Sequence, residues 1–245
     1  VNLFSNNPHS ILLLGDHVYQ YDLKKHTFNI ATEQEGLDII GTFLPITNYG
    51  NYTYLNDIKH IYRLDNRTNR LEVLYQCHKD TIINSVSLDE HGHFWIGNNY
   101  GLFHYNPDEK IQTPISTSLF SEVTSIVCDK QGKVWIGTNN MLFAWLIKEQ
   151  KFVLFGESDG VIQNEYLSKP CLLSSQGNIY MGGVKGLLHI NSTLPLITTE
   201  IPQLQLSDVI INGESVNDKL NNNPTSISAP WNSNITIRIM SKEED

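Results

Sequence analysis

The chain has 245 residues, of which 40% are hydrophobic and 18% are charged, and its formal net charge is −9. The negative charge argues against a surface for nucleic acid or anionic membranes, because such surfaces need clustered Lys and Arg. No apolar run approaches the roughly 20 residues that span a bilayer. The length suits one large all-β domain, alone or with a small second domain.

A short motif recurs along the chain: an apolar strand ends on glycine, and a polar turn leads into a second apolar strand. The strand-ending positions are Gly15, Asn56, Gly97, Gly137 and Gly182. They lie about forty residues apart, which is the period of a β-propeller blade. Helical repeats do not fit, because the apolar residues alternate and show no 3.6-residue period. We predict an all-β fold, a β-propeller with five four-stranded blades visible as part of a seven-bladed propeller.

Each repeat divides into four short strands. In the third repeat we predict strands at 83–88, 94–97, 102–105 and 111–115. In the fourth repeat we predict them at 125–128, 134–136, 142–145 and 152–155, and in the fifth at 171–173, 180–181, 187–190 and 196–198. Asp89 and Asp129 share one turn position, where an aspartate can bond its own backbone. Turn geometry explains them better than acid catalysis.

Equivalent positions of the repeats carry similar side chains. One column is aromatic, at Tyr54, Trp95, Trp135 and Tyr180, and another is aliphatic, at Val18, Ile61, Leu102, Leu142 and Leu187. Because a blade packs against neighbours on both faces, we expect both columns to be buried between blades and not to stack on a ligand. His104 and His189 share a column with Gln20 and Arg63, so we interpret them as polar blade positions and not as metal ligands.

The pattern changes after residue 200. Residues 202–211 alternate as a new strand, Asn212-Gly213 is a strong hairpin-turn signal, and residues 235–239 alternate again. Three or four strands do not complete a sandwich. We assign residues 1–200 to blades of a partial propeller and residues 201–245 to the start of a truncated Ig-like β-sandwich module. We also expect further blades, or another copy, to cover the terminal blades.

The repeats resemble a known family. Trp95-Ile96-Gly97 with Gly101-Leu102, and Trp135-Ile136-Gly137-Thr138-Asn139, are similar to the two-component regulator propeller repeat, which typically reads WIGT-x-x-GL. The fifth repeat resembles the last repeat of such propellers. Residues 202–238 are similar to the start of the tyrosine-rich Ig-like module that follows it. Repeats one and two depart from the pattern, with Asn56 in place of glycine and no Gly-Leu.

This resemblance implies the periplasmic sensor region of a Bacteroidetes-type hybrid two-component system. In that family the propellers and the Ig-like module precede a membrane helix, a histidine kinase, a receiver and a DNA-binding domain. Such regions recognise oligosaccharides and control polysaccharide-utilisation genes. The resemblance thus implies a periplasmic segment of an inner-membrane protein, homodimeric in the full-length receptor, which binds an oligosaccharide ligand and neither nucleic acid nor, by itself, a membrane.

A ligand face follows from blade geometry. The turns between strands two and three, and the connections between blades, emerge on one face of a propeller. Asn, Tyr and Lys side chains on that face suit sugar hydroxyls, through amide hydrogen bonds and ring stacking, although ordinary polar turns are the alternative explanation. The candidate ligand-binding residues are Tyr100, Asn139, Asn140, Glu165 and Lys185.

Catalytic chemistry has no signature in the sequence. There is no serine-hydrolase, zinc-protease or phosphate-loop motif and no paired-cysteine metal motif, so we expect no catalytic residue, no cofactor and no metal site. Two alternatives stay open. A carbohydrate-active propeller enzyme, a hydrolase or lyase, would need carboxylates or a His–Tyr pair converging on the central channel. A propeller that serves as a protein-binding scaffold is the other.

Overall fold

The structure is a computed structural model that describes residues 2–30, 41–115, 117–192, 203–216 and 228–242. The chain divides into two compact units, Val1–Pro195 and Leu196–Asp245. In the described residues the regular structure is β-strand, apart from the 3-10 turn Glu157–Asp159. The predicted boundary at residues 200 and 201 lies outside the described residues, so it stays a prediction.

The first unit contains five antiparallel sheets, each built from consecutive strands. Blade one comprises β1 to β4, at Asn2–Asn7, Ser10–Leu14, Val18–Asp22 and Thr27–Ile30; blade two comprises β5 to β8, at Leu44–Tyr49, Tyr52–Asn56, His60–Asp65 and Leu71–Gln76. Blade three comprises β9 to β12, at Ile83–Leu88, Phe94–Asn98, Gly101–Asn106 and Ile111–Ile115; blade four comprises β13 to β16, at Ser125–Cys128, Lys133–Gly137, Leu142–Leu146 and Lys151–Phe155.

Blade five has three described strands, β17 to β19, at Tyr166–Leu173, Asn178–Gly183 and Gly186–Asn191. Its predicted fourth strand at 196–198 lies outside the described residues. The first strands of successive blades contact one another, β1 with β5, β5 with β9, β9 with β13 and β13 with β17. Consecutive four-stranded meanders with neighbouring first strands are the arrangement of a β-propeller, and the predicted fold class is confirmed. The total of seven blades stays a prediction.

In blades one to four, members of the aromatic and aliphatic columns pack between blades, as predicted. Trp95 and Leu102 of blade three share one core cluster with Ile126, Val134 and Ile136 of blade four. Their side of blade three therefore faces the next blade along the chain. Burial of side chains of this size contributes about 1.5–3 kcal/mol each, so the interfaces between blades hold most of the core.

Leu187 departs from its column. Val18, Ile61, Leu102 and Leu142 are at most 1% exposed, whereas Leu187 is 61% exposed. Leu187 pairs with Gly182 on the side of the sheet that packs against the following blade in the earlier repeats, and no described strand covers that side of blade five. The alternate residues Ile179 and Met181 are fully buried. The expectation that all five positions belong to the core is wrong for this blade.

The turn aspartates have the predicted role and an additional one. Asp89 Oδ1 accepts backbone N–H groups from His91 and His93, and Asp89 Oδ2 accepts the indole N–H of Trp95 at 3.0 Å. Asp129 makes the same set of bonds in blade four, where Trp135 Nε1 donates to Oδ2 at 3.1 Å. Each aspartate thus fixes its turn and also clamps the central tryptophan of its blade.

The second unit contains β20 at Gln203–Ile211, β21 at Glu214–Ser215 and β22 at Ile235–Lys242, in the order β21-β20-β22. The predicted hairpin turn at Asn212-Gly213 is present, with φ values of 53° and 92°, which is the left-handed region that such turns require. Three described strands do not distinguish an Ig-like sandwich from other β folds, so the Ig-like assignment stays a prediction.

Candidate ligand-binding face

In blades three to five, the turn between the second and third strands is held against a connection between blades. Val123 N donates to Asn98 O at 3.1 Å, Tyr166 N donates to Thr138 O at 3.1 Å, and Val184 N donates to Glu165 O at 3.0 Å. We call the surface formed by turns 98–100, 138–140 and 184–185 with connections 79–82, 117–124 and 156–165 the upper face. All five predicted site residues lie on it.

A side-chain network on the upper face joins blades three and four. Asn84, on β9, donates from Nδ2 to Glu122 Oε1 at 3.2 Å and to the Val123 carbonyl at 3.0 Å. Asn139 donates from Nδ2 to Glu122 Oε2 at 3.4 Å. A half-buried carboxylate therefore lies between two amides. This arrangement offers both donors and acceptors to a polyhydroxylated ligand.

Sequence reasoning identified Asn139 but missed Asn84 and Glu122. The only local signal was the polar Asn84 next to the buried residues Ile83, Ser85 and Val86 of a first strand. Glu122 has no distinguishing sequence context. Its role depends on how the connection between blades three and four folds back over β9.

Asn140 lies at the edge of an apolar cleft. The cleft has a volume of about 240 Å³ and is lined by Met141, Leu154, Phe155 and Val161, among others. Asn140 Oδ1 also accepts a hydrogen bond from Thr138 Oγ1 at 3.4 Å. The cleft gives the amide of Asn140 an apolar wall, which suits the less polar face of a sugar ring.

Glu165 and Lys185 come together through backbone contacts. Lys185 N donates to Asn164 Oδ1 at 2.9 Å, next to the bond between Val184 N and Glu165 O. Lys185 lines a second cleft of about 240 Å³ with Tyr166, Leu187 and His189. Both charged side chains are exposed, so this part of the upper face carries one carboxylate and one ammonium group.

Tyr100 stands apart from the other four predicted residues. The residue is 62% exposed, and its backbone N donates to Asn98 Oδ1 at 2.7 Å. No hydrogen bond or ring contact joins it to the other four within the part of the chain that is described. The neighbouring Asn99 holds the connection to blade two, because its Oδ1 accepts from Ile82 N. Tyr100 is therefore an isolated aromatic surface, and its role as a ligand residue stays a prediction.

The central channel has a composition unlike that of a hydrolase site. A cavity of about 420 Å³ is lined by the first strands of all five blades, including Phe4, Ile46, Val86, Val127 and Leu172. Among the described residues that line it, Lys130 is the one charged side chain, and none is Asp, Glu or His. Glycoside hydrolysis in its usual form needs a pair of carboxyl groups, and the described residues that line this cavity do not supply them.

Two of the three cysteines, Cys77 and Cys128, are also poor nucleophiles. Cys77 and Cys128 are buried, and Cys171 Sγ donates to the carbonyl of Ile126 at 3.1 Å. Burial raises the pKa of the Cys128 thiol and that of the Cys77 thiol. A protonated thiol is neither a strong nucleophile nor a metal ligand, so these residues pack as small apolar groups.

In blade two, the turn between the second and third strands contains a buried aspartate, Asp57, and no glycine precedes it. Asp57 is fully buried; its Oδ1 accepts the backbone N–H of His60 at 2.6 Å, and its Oδ2 accepts the hydroxyl of Tyr62 at 2.6 Å. Burial opposes ionisation of Asp57. The hydrogen bonds from Tyr62, from backbone amides and from the His60 ring outweigh it, and the pKa of Asp57 is lowered.

We expect Tyr62→Phe to destabilise the chain by about 1.5–3 kcal/mol at neutral pH, because a buried carboxylate loses a hydroxyl donor. A lowered pKa means that Asp57 contributes stability above its unfolded pKa of about 3.9 and that this contribution is lost as pH falls through the lower folded pKa. Tyr62→Phe should raise the folded pKa towards the unfolded one, so the loss of stability in acid should be smaller and should end at a higher pH.

Urea unfolding at a series of pH values between 2 and 7 measures both effects. Tyr19→Phe is the matched control, because Tyr19 occupies the same column in blade one and is only half-buried. Equal stability and equal pH profiles for the two variants would show that Tyr62 does not support the Asp57 carboxylate.

Known families match part of the chain. Residues 118–140 match the family model described as "Two component regulator propeller". That segment contains Glu122, Asn139 and Asn140 together with the Asp129–Trp135 clamp. Comparison with curated protein sequences found no match to the chain.

Three solved structures have a similar fold. The extracellular domain of a protein described as a one component system from B. thetaiotaomicron is 18% identical, with a TM-score of 0.58 over 84% of this chain and 28% of that chain. A structure of the same protein, described as a hybrid two component system, is 22% identical, with a TM-score of 0.53 over 87% and 30%. PorZ, a surface component of the type-IX secretion system of Porphyromonas gingivalis, is 16% identical, with a TM-score of 0.59 over 78% and 32%.

At these identities the structural likeness shows the fold, and the chain spans about a third or less of the length of those proteins. No helix in the described ranges is long and apolar enough to cross a membrane. The match at residues 118–140 agrees with the family that the repeat motifs resemble. The chain therefore carries a two-component regulator propeller repeat within a β-propeller whose fold is shared by the extracellular domain of a hybrid two-component system.

Proposed function

We propose that this chain is the extracytoplasmic ligand-sensing segment of a hybrid two-component histidine kinase and response regulator. The parent protein spans the inner membrane as a homodimer, and this segment lies in the periplasm. It binds an oligosaccharide derived from a glycan and controls polysaccharide-utilisation genes. The proposal is supported by the regulator propeller match and by the fold shared with a sensor's extracellular domain.

The network of Asn84, Glu122 and Asn139 on the upper face is the observation that carries ligand binding. Two amides and a carboxylate are held at the junction of two blades by contacts at 3.0–3.4 Å. Sugar hydroxyls can replace these internal bonds with bonds of the same type. Because the groups come from different blades, a ligand that bridges them can favour one arrangement of the blades, and differential affinity for two arrangements is what a signal requires.

The channel composition argues against the enzyme alternative. Neither a carboxylate nor a histidine lines the channel in the described residues, and no cofactor or nucleic-acid contact is needed for the proposed role. The scaffold alternative predicts binding of a protein and not of an oligosaccharide. Ligand identity therefore separates a scaffold from the other two functions, and turnover of the ligand separates an enzyme from a sensor.

We expect one class of oligosaccharide in a panel of plant, fungal and host glycan fragments to raise the melting temperature of the chain without being cleaved. Asn139→Ala and Glu122→Gln should each weaken binding of that fragment by about 10-fold, the loss of one or two hydrogen bonds. Asn29→Ala is the matched control, because Asn29 is an exposed asparagine on the outer strand of blade one.

Isothermal titration measures affinity, and chromatography of the incubated fragment measures turnover. Equal affinities of Asn139→Ala, Glu122→Gln and the control would place binding elsewhere and contradict the proposed site. Accumulation of shorter fragments would support an enzyme, and failure of every fragment to bind would contradict the proposed function.

A further inference from the structure

Blades three and four build the same aspartate turn but neutralise its charge differently. In blade four the carboxylate of Asp129 is fully buried, and Lys133 Nζ lies 3.2 Å from Oδ2. The lysine side chain is only 10% exposed. A buried carboxylate is expensive unless a cation pairs with it, and blade four supplies an ammonium group.

Blade three has no ammonium group at that place. The register of β10 with β11 and of β14 with β15 shows that His93 corresponds to Lys133 and that His104 corresponds to Ala144. Asp89 is 9% exposed, and among the described residues no Lys or Arg forms an ion pair with it. Two imidazoles therefore occupy the space that an ammonium group fills in the next blade.

The two imidazoles and the carboxylate converge. His93 Nδ1 lies 3.1 Å from His104 Nε2, and the potential ligand atoms of Asp89, His93 and His104 all lie within 4.8 Å of one another. The His104 ring is 4.8 Å from the ring of Trp95, which is itself clamped by Asp89. The three groups are thus held by the turn, by the strand and by the clamped tryptophan.

This geometry suits a transition-metal ion. Two nitrogens at tetrahedral positions of an ion with metal–nitrogen bonds of about 2.0–2.1 Å lie roughly 3.3 Å apart, close to the observed separation. A carboxylate has about four lone-pair sites. Asp89 can therefore keep its three N–H bonds and still offer one lone pair. Nitrogen and oxygen ligands of this kind favour Zn²⁺ and its neighbours over Mg²⁺ or Ca²⁺.

We propose that Asp89, His93 and His104 bind one divalent transition-metal ion such as Zn²⁺, at the place where Lys133 puts its ammonium group in blade four. The ion displaces the proton between the two imidazoles, and water completes its coordination. It ties the first turn of blade three to β10 and β11, on the side that packs against blade four. The site is independent of the upper face. The proposal departs from the expectations that His104 is only a polar blade position and that the segment binds no metal.

Blade five provides an internal comparison. His189 occupies the column of His104, and its Nε2 lies 3.2 Å from Asn178 Oδ1. Ser174 stands at the turn position of the aspartate, where its Oγ accepts the Asn178 N–H at 3.0 Å. With a serine and an amide in place of the carboxylate and the second imidazole, this cluster lacks two of the three ligands. His189 should not hold the ion.

We expect the metal-free chain to bind one Zn²⁺ tightly, measured by titration against a chromophoric chelator. Co²⁺ in the same site should give visible absorption bands typical of a low-coordinate nitrogen–oxygen site. His104→Ala should weaken Zn²⁺ binding by more than about 100-fold. Removing a residue that only hydrogen-bonds to a metal ligand usually weakens binding by less than this. Alanine is the residue that blade four has at this position, so folding should be preserved. His189→Ala is the matched control and should bind as the wild type does.

A second variant keeps the proposal testable if His104→Ala is unstable. His93→Lys introduces the residue of blade four, so it should fold without metal and show no rise in melting temperature with Zn²⁺, whereas the wild type should show one. Zn²⁺ binding that is equally strong in His93→Lys, His104→Ala and the wild type would overturn the site. Failure of the wild type to retain one ion would overturn it as well.

Discussion

We expect Asp129→Ala to lower the free energy of unfolding by about 3–5 kcal/mol, because it leaves a buried ammonium group without its carboxylate. Lys133 Nζ lies 3.2 Å from Asp129 Oδ2, and neither side chain is more than 10% exposed. The ammonium group keeps acceptors in Gln131 Oε1 and the Ser192 carbonyl. Neither acceptor carries a charge that could replace the lost carboxylate.

The same substitution removes the acceptor of three N–H donors. Asp129 Oδ1 accepts the backbone N–H groups of Gln131 and Lys133, and Oδ2 accepts the indole N–H of Trp135. Trp135 is 1% exposed, so water cannot reach its N–H without local opening. Each buried donor left without an acceptor costs about 1–3 kcal/mol, and the turn and the core of blade four should loosen together.

Urea unfolding followed by tryptophan fluorescence measures this loss. Asp65→Ala is the matched control, because Asp65 also accepts two backbone N–H groups, from Arg67 and Thr68, but at an exposed turn without a lysine or a tryptophan. We expect a much smaller loss there, since water replaces the carboxylate. Asp129→Ala combined with Lys133→Met should recover part of the stability, because no charge then stays buried. Equal losses for Asp129→Ala and Asp65→Ala would contradict the clamp.

Much of the fold was predictable because a blade is specified locally. Alternation of apolar residues and the Asp-x-x-Gly turns located the strands of blades three and four to within a residue or two at each end. The first strand of blade five was predicted at 171–173, but β17 starts at Tyr166. Its register with β18 shifts between Tyr166 and Cys171. An irregular pairing of this kind breaks the alternation on which the prediction relied.

Contacts between neighbouring blades could not be predicted from the sequence pattern of a single blade. Leu187 has the same sequence context as Leu102 and Leu142, yet it is exposed because its burial depends on a neighbour and not on its own sheet. For the same reason the sequence pattern did not indicate Asn84 and Glu122 as site residues. Their contact joins residues 38 positions apart, and it exists only because consecutive blades stack in one register.

The histidines show a similar limit. The interpretation of His104 rests on its own column, which contains glutamine in blade one and arginine in blade two. That comparison leaves out His93, which belongs to another column on the neighbouring strand. His93 Nδ1 lies 3.1 Å from His104 Nε2. The two residues are close because His93 directly precedes β10, which pairs with β11, and because the Trp95 ring packs against the His104 ring. Comparing repeat positions on neighbouring strands, and not one position at a time, would have indicated the cluster of Asp89, His93 and His104 from the sequence.

We expect Gly137→Ala to destabilise the chain by about 3 kcal/mol, the upper end of the usual cost of overpacking. A β-carbon at Gly137 would meet Ser125 Oγ and would lie 2.6 Å from Tyr166 Cβ and 2.7 Å from Tyr166 Cγ. Tyr166 is 2% exposed, and its N is bonded to the Thr138 carbonyl. The atoms in the way are the base of a fixed side chain, so they cannot swing aside.

Gly97→Ala should cost less. Its β-carbon would meet Val123 Cγ1 at 2.5 Å and Ile126 Cδ1 at 3.0 Å. Both atoms are terminal methyl carbons, which a change of side-chain rotamer can move, whereas the Cβ and Cγ atoms of Tyr166 at Gly137 cannot move in this way. Gly15→Ala is the control for a glycine without close neighbours, because Gly15 directly follows the second strand of blade one and no heavy atom lies within 4 Å of the added carbon. We expect that variant to be as stable as the wild type.

The three alanine variants are compared by the midpoints of their urea unfolding curves, provided that the slope of the curves is constant. The expected order of stability is Gly15→Ala, then Gly97→Ala, then Gly137→Ala. Gly97 and Gly137 share one position, because each pairs with the first leucine of the third strand, and their order follows from what the connection to the next blade places over the glycine. Gly15 lies one residue beyond the equivalent position, which is Leu14, paired with Val18. If Gly137→Ala unfolded at the midpoint of Gly15→Ala, the connection at Tyr166 could not lie over blade four. The upper face would then lose the contact that joins Thr138 to Tyr166.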